Sequence, residues 1–337
     1  MTDNVKRSVA DVRDLAMAAM RGRGFGEAEA AATVEALLGA ERDGLPSHGL
    51  SRLPFYLDQA ASGKVDASAV PQVDTDGAVV RVDARHGLAF PAIERGLEAG
   101  YACVAQAGIA AVAIAHSHHF GVAGAPVEAA ARRGYLALAF SNAPSAMAPW
   151  GGKLPLFGTN PIAFACPRRD ADPLLIDLSL SKVARGKVML AKIKGEPIPE
   201  GWALDTEGRV TTDPDAAIAG SMVPAGDAKG AALALMVELL TAGLTGSHFG
   251  FQASSFFEAQ GEPPGIGQLM LLIDPQRFSQ GFVDHAESLF AAMLDQPGVR
   301  IPGERRFQLR REQDDTLTLS TELVAALEQH AAFAGQS

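Results

Sequence analysis

The side chains best able to do chemistry fall in three short, largely apolar neighbourhoods of a 337-residue chain. The first, DGLPSHGLSRLP, supplies Ser47, His48 and Arg52. Gly44 and Pro46 put Ser47 and His48 on or beside a turn, and helical turns resuming after Pro46 would bring His48 and Arg52 to one face. An imidazole exchanges a proton near neutral pH, and a guanidinium grips a carboxylate through two parallel hydrogen bonds. The pair suits a carboxylate-bearing substrate with a protonatable centre. A helix N-cap followed by a half-exposed histidine explains the same letters.

The second neighbourhood is His116-Ser-His118-His119-Phe120-Gly121, at the end of the apolar run IAAVAIA. Three histidines in four residues invite comparison with a zinc site, but no Cys, Asp or Glu accompanies them. A cleft lining fits better, with Gly121 and Gly124 leaving room for a phosphate or ring to approach the backbone. Solvated loop histidines are the plain alternative. The third neighbourhood runs through Thr159-Asn160-Pro161, Asp177-Leu178-Ser179 and Arg185-Gly186-Lys187. Residues 226–230, GDAKG, resemble a loop opening a helix, where free backbone N–H groups and Lys229 could hold a phosphate. Turn chemistry and surface cations account for each of these segments about as well.

Helical periodicity is expected over residues 9–20, 27–42, 91–107, 125–133, 227–240, 283–295 and 320–332. Short apolar runs at 109–116, 135–142, 161–167, 173–179 and 268–275 indicate buried strands. The glycines of RGRGFG follow a helix rather than a strand, so they mark its end. No GxGxxG joins a strand to a helix, and no phosphate loop, HExxH or GxSxG is present.

With 29 Lys+Arg against 39 Asp+Glu, the net charge is −10. That excludes a general nucleic-acid binder but leaves room for a small anion held in a locally basic pocket. Cys103 and Cys166 lie in apolar stretches without metal spacing and are expected as buried free thiols. No signal-like or membrane-spanning run is visible, so a cytoplasmic protein is expected.

Taken in order, Asp43-Gly44 with SHGLSRLPFY, HSHHFG, PLFGTNPIAFACP, IDLSLSKVARGK, GDAKGAALALMVELL and IPGERR resemble the malate/L-lactate dehydrogenase family, NAD(P)-dependent oxidoreductases without a Rossmann fold. The resemblance spans nearly the whole chain. It implies an α/β fold of the α+β type, with a largely antiparallel central sheet flanked by helices. A helical substrate lobe (1–115, joined by the tail 283–337) would accompany a cofactor-binding lobe (116–282), usually in a homodimer. It implies that His48, beside Ser47, or else His119 exchanges the substrate proton, that Arg52 holds the substrate carboxylate and that Thr159 touches substrate. Phe120, Gly121, Val122, Ala123, Gly124, Ser141, Asp177, Leu178, Ser179, Lys229, Ile301, Pro302, Gly303 and Glu304 would line NAD(P)H, with NADPH favoured. Family members act on malate, lactate, sulfolactate, ureidoglycolate or cyclic imino acids. The imine-reducing branch tends to carry a His and an acidic residue where this chain has Arg185 and Lys187. Arg185 would favour a second anion on a 2-oxo or 2-hydroxy acid, and Lys187 takes the place of the relay carboxylate. A Δ1-pyrroline-2-carboxylate or Δ1-piperideine-2-carboxylate reductase is the alternative; a His-cluster metal hydrolase and a silent binding protein are the readings from other classes.

Overall fold

The computed structural model describes residues 4–335. Its strands are β1 (Asn4–Ser8), β2 (Gln72–Asp76), β3 (Val79–Asp83), β4 (Ile109–Ser117), β5 (Leu136–Ser141), β6 (Ile162–Cys166), β7 (Leu174–Leu178), β8 (Ala203–Leu204), β9 (Val210–Thr211), β10 (Ser221–Met222), β11 (Ile266–Ile273) and β12 (Thr316–Ser320). Its helices are α1 (Val9–Gly22), α2 (Glu27–Arg42), α3 (Leu53–Ala61), α4 (Ala89–Ala107), α5 (Gly124–Arg132), α6 (Arg185–Lys194), α7 (Pro214–Ala219), α8 (Ala228–Glu238), α9 (Phe282–Leu294), α10 (Glu304–Glu312) and α11 (Thr321–Ala331).

Seven strands form the central sheet in the order β2-β3-β4-β11-β5-β6-β7. β3 and β4 run parallel, and every other neighbouring pair is antiparallel. On β4, Ala110, Val112 and Ile114 point into a core shared with α4 and α5, while Ala111 and Ala113 face a second core that includes Met147, Val188 and Val237. This period-two split lets one strand serve both layers. Helix α4 lies close on the sheet because Gly96 and Gly100 face it. A Cβ at either would sit 2.7–2.8 Å from a Val112 methyl.

A separate helical layer buries Val12, Val34, Leu37, Leu53 and Leu327 from α1, α2, α3 and α11. Ser8 caps α1 by accepting from the Asp11 amide at 3.0 Å, as the serine preference at helix starts predicts. β1 pairs antiparallel with β12, so the tail returns to the first helix. Cys103 and Cys166 are free and buried, and burial pushes the Cys166 thiol up to about 11. Among the described residues, no helix is long and apolar enough to cross a membrane.

The expected helices and strands form to within about two residues at most ends. Helix α4 starts at Ala89 rather than 91, because Pro91 is accommodated in a first turn that needs no amide donor. The edge hairpin β2–β3 was not expected: β2 is exposed along its whole length and shows no apolar alternation.

Candidate active site

Two short 3-10 turns, Pro46–His48 and Leu50–Arg52, lead from α2 into α3. Between them the Glu41 carboxylate accepts from the Leu50 amide at 2.8 Å. A Cβ at Gly49 would collide with that carboxylate, which explains the glycine. The turns bring Ser47 Oγ to 3.0 Å from His48 Nδ1 and let Arg52 Nε donate to the Ser47 carbonyl at 2.6 Å. The Arg52 guanidinium lies 4.5 Å from the centre of the Phe257 ring. Its two terminal nitrogens have no hydrogen bond or ion pair with any described residue. A planar fork with its outer edge free is the geometry that receives a carboxylate.

The three clustered histidines diverge. His116 Nδ1 meets the Asp83 carboxylate at 3.0 Å. His118 is 1% exposed, and its Nε2 donates to Gln59 Oε1 at 2.7 Å. His119 Nδ1 lies 2.7 Å from the Tyr56 hydroxyl, and its ring centre is 5.5 Å from that of His48. Among the described residues, no three His, Cys, Asp or Glu side chains converge as a metal would require.

Burial and the Arg52 charge push His48 down to about 4; Asp177 opposes the shift and Arg306 adds to it. Burial, then Lys64 and Arg52, lowers His118 to about 3. His119 lies well below the ordinary range, through burial and then Arg52, His48 and His118. A histidine kept neutral by folding binds its proton more tightly in the unfolded chain. The stability it contributes is full above pH 6.5 and is lost as pH falls toward the folded values near 4 and 3. Urea midpoints should therefore fall steadily between pH 6.5 and 4. His118→Gln, which can still donate to Gln59, should flatten that fall. Parallel curves for the variant and the native protein would exclude His118 as a source.

Asp177, near the end of β7, ties that strand to α5 and α10. Its Oδ2 accepts from the Gly124 amide and from Arg306 Nη2, each at 3.0 Å. Phe120, Val122 and Ala123 are buried on the approach to α5. Gly121 has φ +73°, and a Cβ there would strike the Phe90 ring. Ile301, Pro302, Gly303 and Glu304 are fastened to β7 by the Leu175 amide, which donates to the Pro302 carbonyl at 3.0 Å. Ser179 Oγ lies 3.2 Å from Ser181 Oγ, and Leu178 is exposed.

Glu238 organises the third neighbourhood. It is 2% exposed and accepts from the Gly158 and Gly250 amides and from the Asn142 and Asn160 side chains, at 3.0–3.3 Å. Those bonds fix the loop carrying Thr159 and the end of β5 at Ser141. Burial raises the Glu238 carboxyl, and its four donors oppose the shift. Lys229 is exposed in the first turn of α8. Arg185 and Lys187 sit at the start of α6, where Arg185 lines a cavity of about 110 Å³ with Ser145, Ala146 and Met222. Neither forms a hydrogen bond, ion pair or ring contact with Ser47, His48, Arg52 or His119.

Sequence reading alone did not pick out Tyr56, Glu238, Arg306, Arg310 or Phe257. Only Glu238 left a local sign, a single acid within the apolar run MVELL.

The profile of the malate/L-lactate dehydrogenase family matches residues 8–328, and the chain belongs to that family. It is an NAD(P)-dependent oxidoreductase. It is 68% identical over 324 residues to the (2R)-3-sulfolactate dehydrogenase (NADP(+)) of Chromohalobacter salexigens, covering 96% of this chain and 97% of that protein. It is 40% identical to the Delta(1)-pyrroline-2-carboxylate reductase of Ancylobacter novellus over 97% of this chain and 98% of that one. The sulfolactate dehydrogenase structure from Methanocaldococcus jannaschii superposes with a TM-score of 0.91 at 27% identity, covering 98% of each chain.

Proposed function

We propose that this enzyme interconverts (2R)-3-sulfolactate and its 2-oxo acid, 3-sulfopyruvate, with NADP(H). The kinship with a sulfolactate dehydrogenase at 68% identity carries this reading. The free outer edge of Arg52 supports it independently, as a seat for the carboxylate. His48 exchanges the proton of the substrate oxygen, with Ser47 at its Nδ1 and Thr159 on the substrate's far side. Arg185 and Lys187, drawn toward the bound substrate, receive the sulfonate; Arg185 is half-buried with no partner among the described residues.

The residues fit a dinucleotide. Arg306 Nη1 is buried beside Gly124 without a hydrogen-bond partner, and Lys229 is exposed in the first turn of α8. A bound nicotinamide supplies or accepts the hydride. Phe120, Gly121, Val122, Ala123, Gly124, Ser141, Asp177, Leu178, Ser179 and the segment from Ile301 to Glu304 hold it, with residues 116–282 as the cofactor lobe and the N-terminal helices and tail as the substrate lobe. Two copies associate through α8 and the turn that follows it, where Leu233, Leu235, Met236 and Leu239 stay exposed; a helix apolar on every side needs a cover. The free thiols suit a reducing cytoplasm.

Loss of absorbance at 340 nm tests the reading. With NADPH, 3-sulfopyruvate should be reduced at least roughly tenfold more efficiently than pyruvate, the scale of one charge-assisted contact. Faster turnover of Δ1-pyrroline-2-carboxylate than of any 2-oxo acid would replace this reading with imine reduction. Arg52→Lys should raise KM about tenfold or more, since a point charge cannot reproduce the fork. An unchanged KM would remove Arg52 from the substrate.

A further inference from the structure

Helix α3 carries an additional pair of contacts to the histidines. Tyr56 is 1% exposed, and its hydroxyl has one partner among the described residues, His119 Nδ1 at 2.7 Å. Two rings lie nearby, Phe90 at 6.2 Å and the edge-on His118 at 5.3 Å. Neither ring forms a hydrogen bond with the hydroxyl. If His119 carried its proton on Nδ1, the Tyr56 proton would be buried without an acceptor. Burying a donor unpaired is costly, so Tyr56 donates and His119 Nδ1 accepts. The imidazole proton then resides on Nε2, since the bond at one ring nitrogen decides the tautomer at the other.

Nε2 of His119 has no protein partner and is not among the sealed polar atoms, so it is open to a bound molecule, on a ring whose centre lies 5.5 Å from that of His48. Besides the Tyr56 hydroxyl, the charged or titratable groups facing His119 are Arg52, His48 and His118, and none is a carboxylic acid. Phe256 closes another side at 5.1 Å. His48 differs on both counts. Its Nδ1 partner is the exposed Ser47 hydroxyl, which can turn to accept as easily as donate, and the Asp177 charge favours its protonated form.

We propose that Tyr56 is a positioning residue that locks His119 as the neutral Nε2–H tautomer, whose Nε2–H donates a hydrogen bond to the substrate's C2 oxygen without giving up its proton. The placement of the C2 oxygen rests on the oxidoreductase reading above; the lock itself does not. In reduction, the hydride adds to C2, the C=O π pair moves to oxygen, and the proton arrives from His48. His119 polarises that oxygen throughout and ends the reaction unchanged. A fixed neutral donor aimed at developing negative charge lowers the barrier without proton transfer of its own.

Protein labelled with ¹⁵N-histidine and free of cofactor tests the lock, by long-range ¹H–¹⁵N correlation of the imidazoles from pH 5.5 to 9. His119 is assigned by the signal lost in His119→Gln. The expected result is an Nε2–H ring whose shifts stay constant across the range. In Tyr56→Phe, the same ring should become a tautomer mixture or begin to titrate, and kcat should fall about tenfold or more with KM for the carboxylate little changed. An Nδ1–H tautomer, or titration near pH 6.5 in the native protein, overturns the lock whatever Tyr56→Phe does. A locked ring in a protein that turns over no 2-oxo acid would instead leave the lock standing and remove the substrate assignment.

Discussion

His48→Ala is expected to lower kcat by roughly 10²–10⁴-fold, the usual contribution of a positioned acid–base group, with a much smaller change in cofactor affinity. The expectation rests on position and on charge. His48 lies 5.5 Å from His119 and next to the Ser47 hydroxyl, and it is the ring of the pair that senses an acid, Asp177. Arg52 helps hold it down near 4 in the free protein. A carboxylate seated on Arg52 cancels part of that charge, so substrate binding itself should raise the His48 pKa and prepare it to donate. The pKa seen in kcat should therefore lie above the one seen in kcat/KM. Native turnover in His48→Ala, or equal pKa values in the two profiles, would transfer the proton step to another group.

Arg310→Met should destabilise the fold by about 3–5 kcal/mol, the scale for removing one partner of a buried ion pair. Arg310 reaches from α10 to Asp43 at the end of α2 and to Glu128 in α5, with Nη1 and Nη2 2.6 and 2.8 Å from the two Glu128 oxygens. The two carboxylates are 2% and 7% exposed. Arg306 and Arg132 remain near them, so the loss falls short of two naked charges. Arg310→Lys keeps the charge and loses the fork, and about 1.5–3 kcal/mol is expected. Urea denaturation checks both. A change under about 0.5 kcal/mol in Arg310→Met, typical of surface positions, would mean that water already screens this cluster.

The parts of the site visible in the sequence were those built locally. Ser47, His48 and Arg52 fall within six residues, and a turn followed by a helix is enough to bring them together. The six motif-bearing segments carried the family resemblance because their order and chemistry are legible without geometry. Long-range partnerships were invisible. Tyr56 and His119 are 63 residues apart, and Asp177 and Arg306 are 129 apart. No periodicity links a tyrosine on one helix to a histidine beyond a strand. The histidine triplet shows the same limit from the other side. Adjacent letters suggested a common ligand, yet the backbone sends the three rings to Asp83, Gln59 and Tyr56.

The antiparallel pairing of β1 with β12 also bears on how the molecule comes to fold. Lys6 and Asp314 meet at 2.8 Å across 308 positions. Contacts so distant form late, because a long loop must close before they contribute, and high contact order slows folding. The core of α1 and α2 lacks Leu317, Leu319, Val324 and Leu327 until then. During synthesis the first helices thus wait with an unfinished apolar face while the central sheet assembles. Slow refolding phases should accordingly respond more to Leu327→Ala than to equal-sized truncations in β11, and the waiting helices are where a chaperone would find purchase.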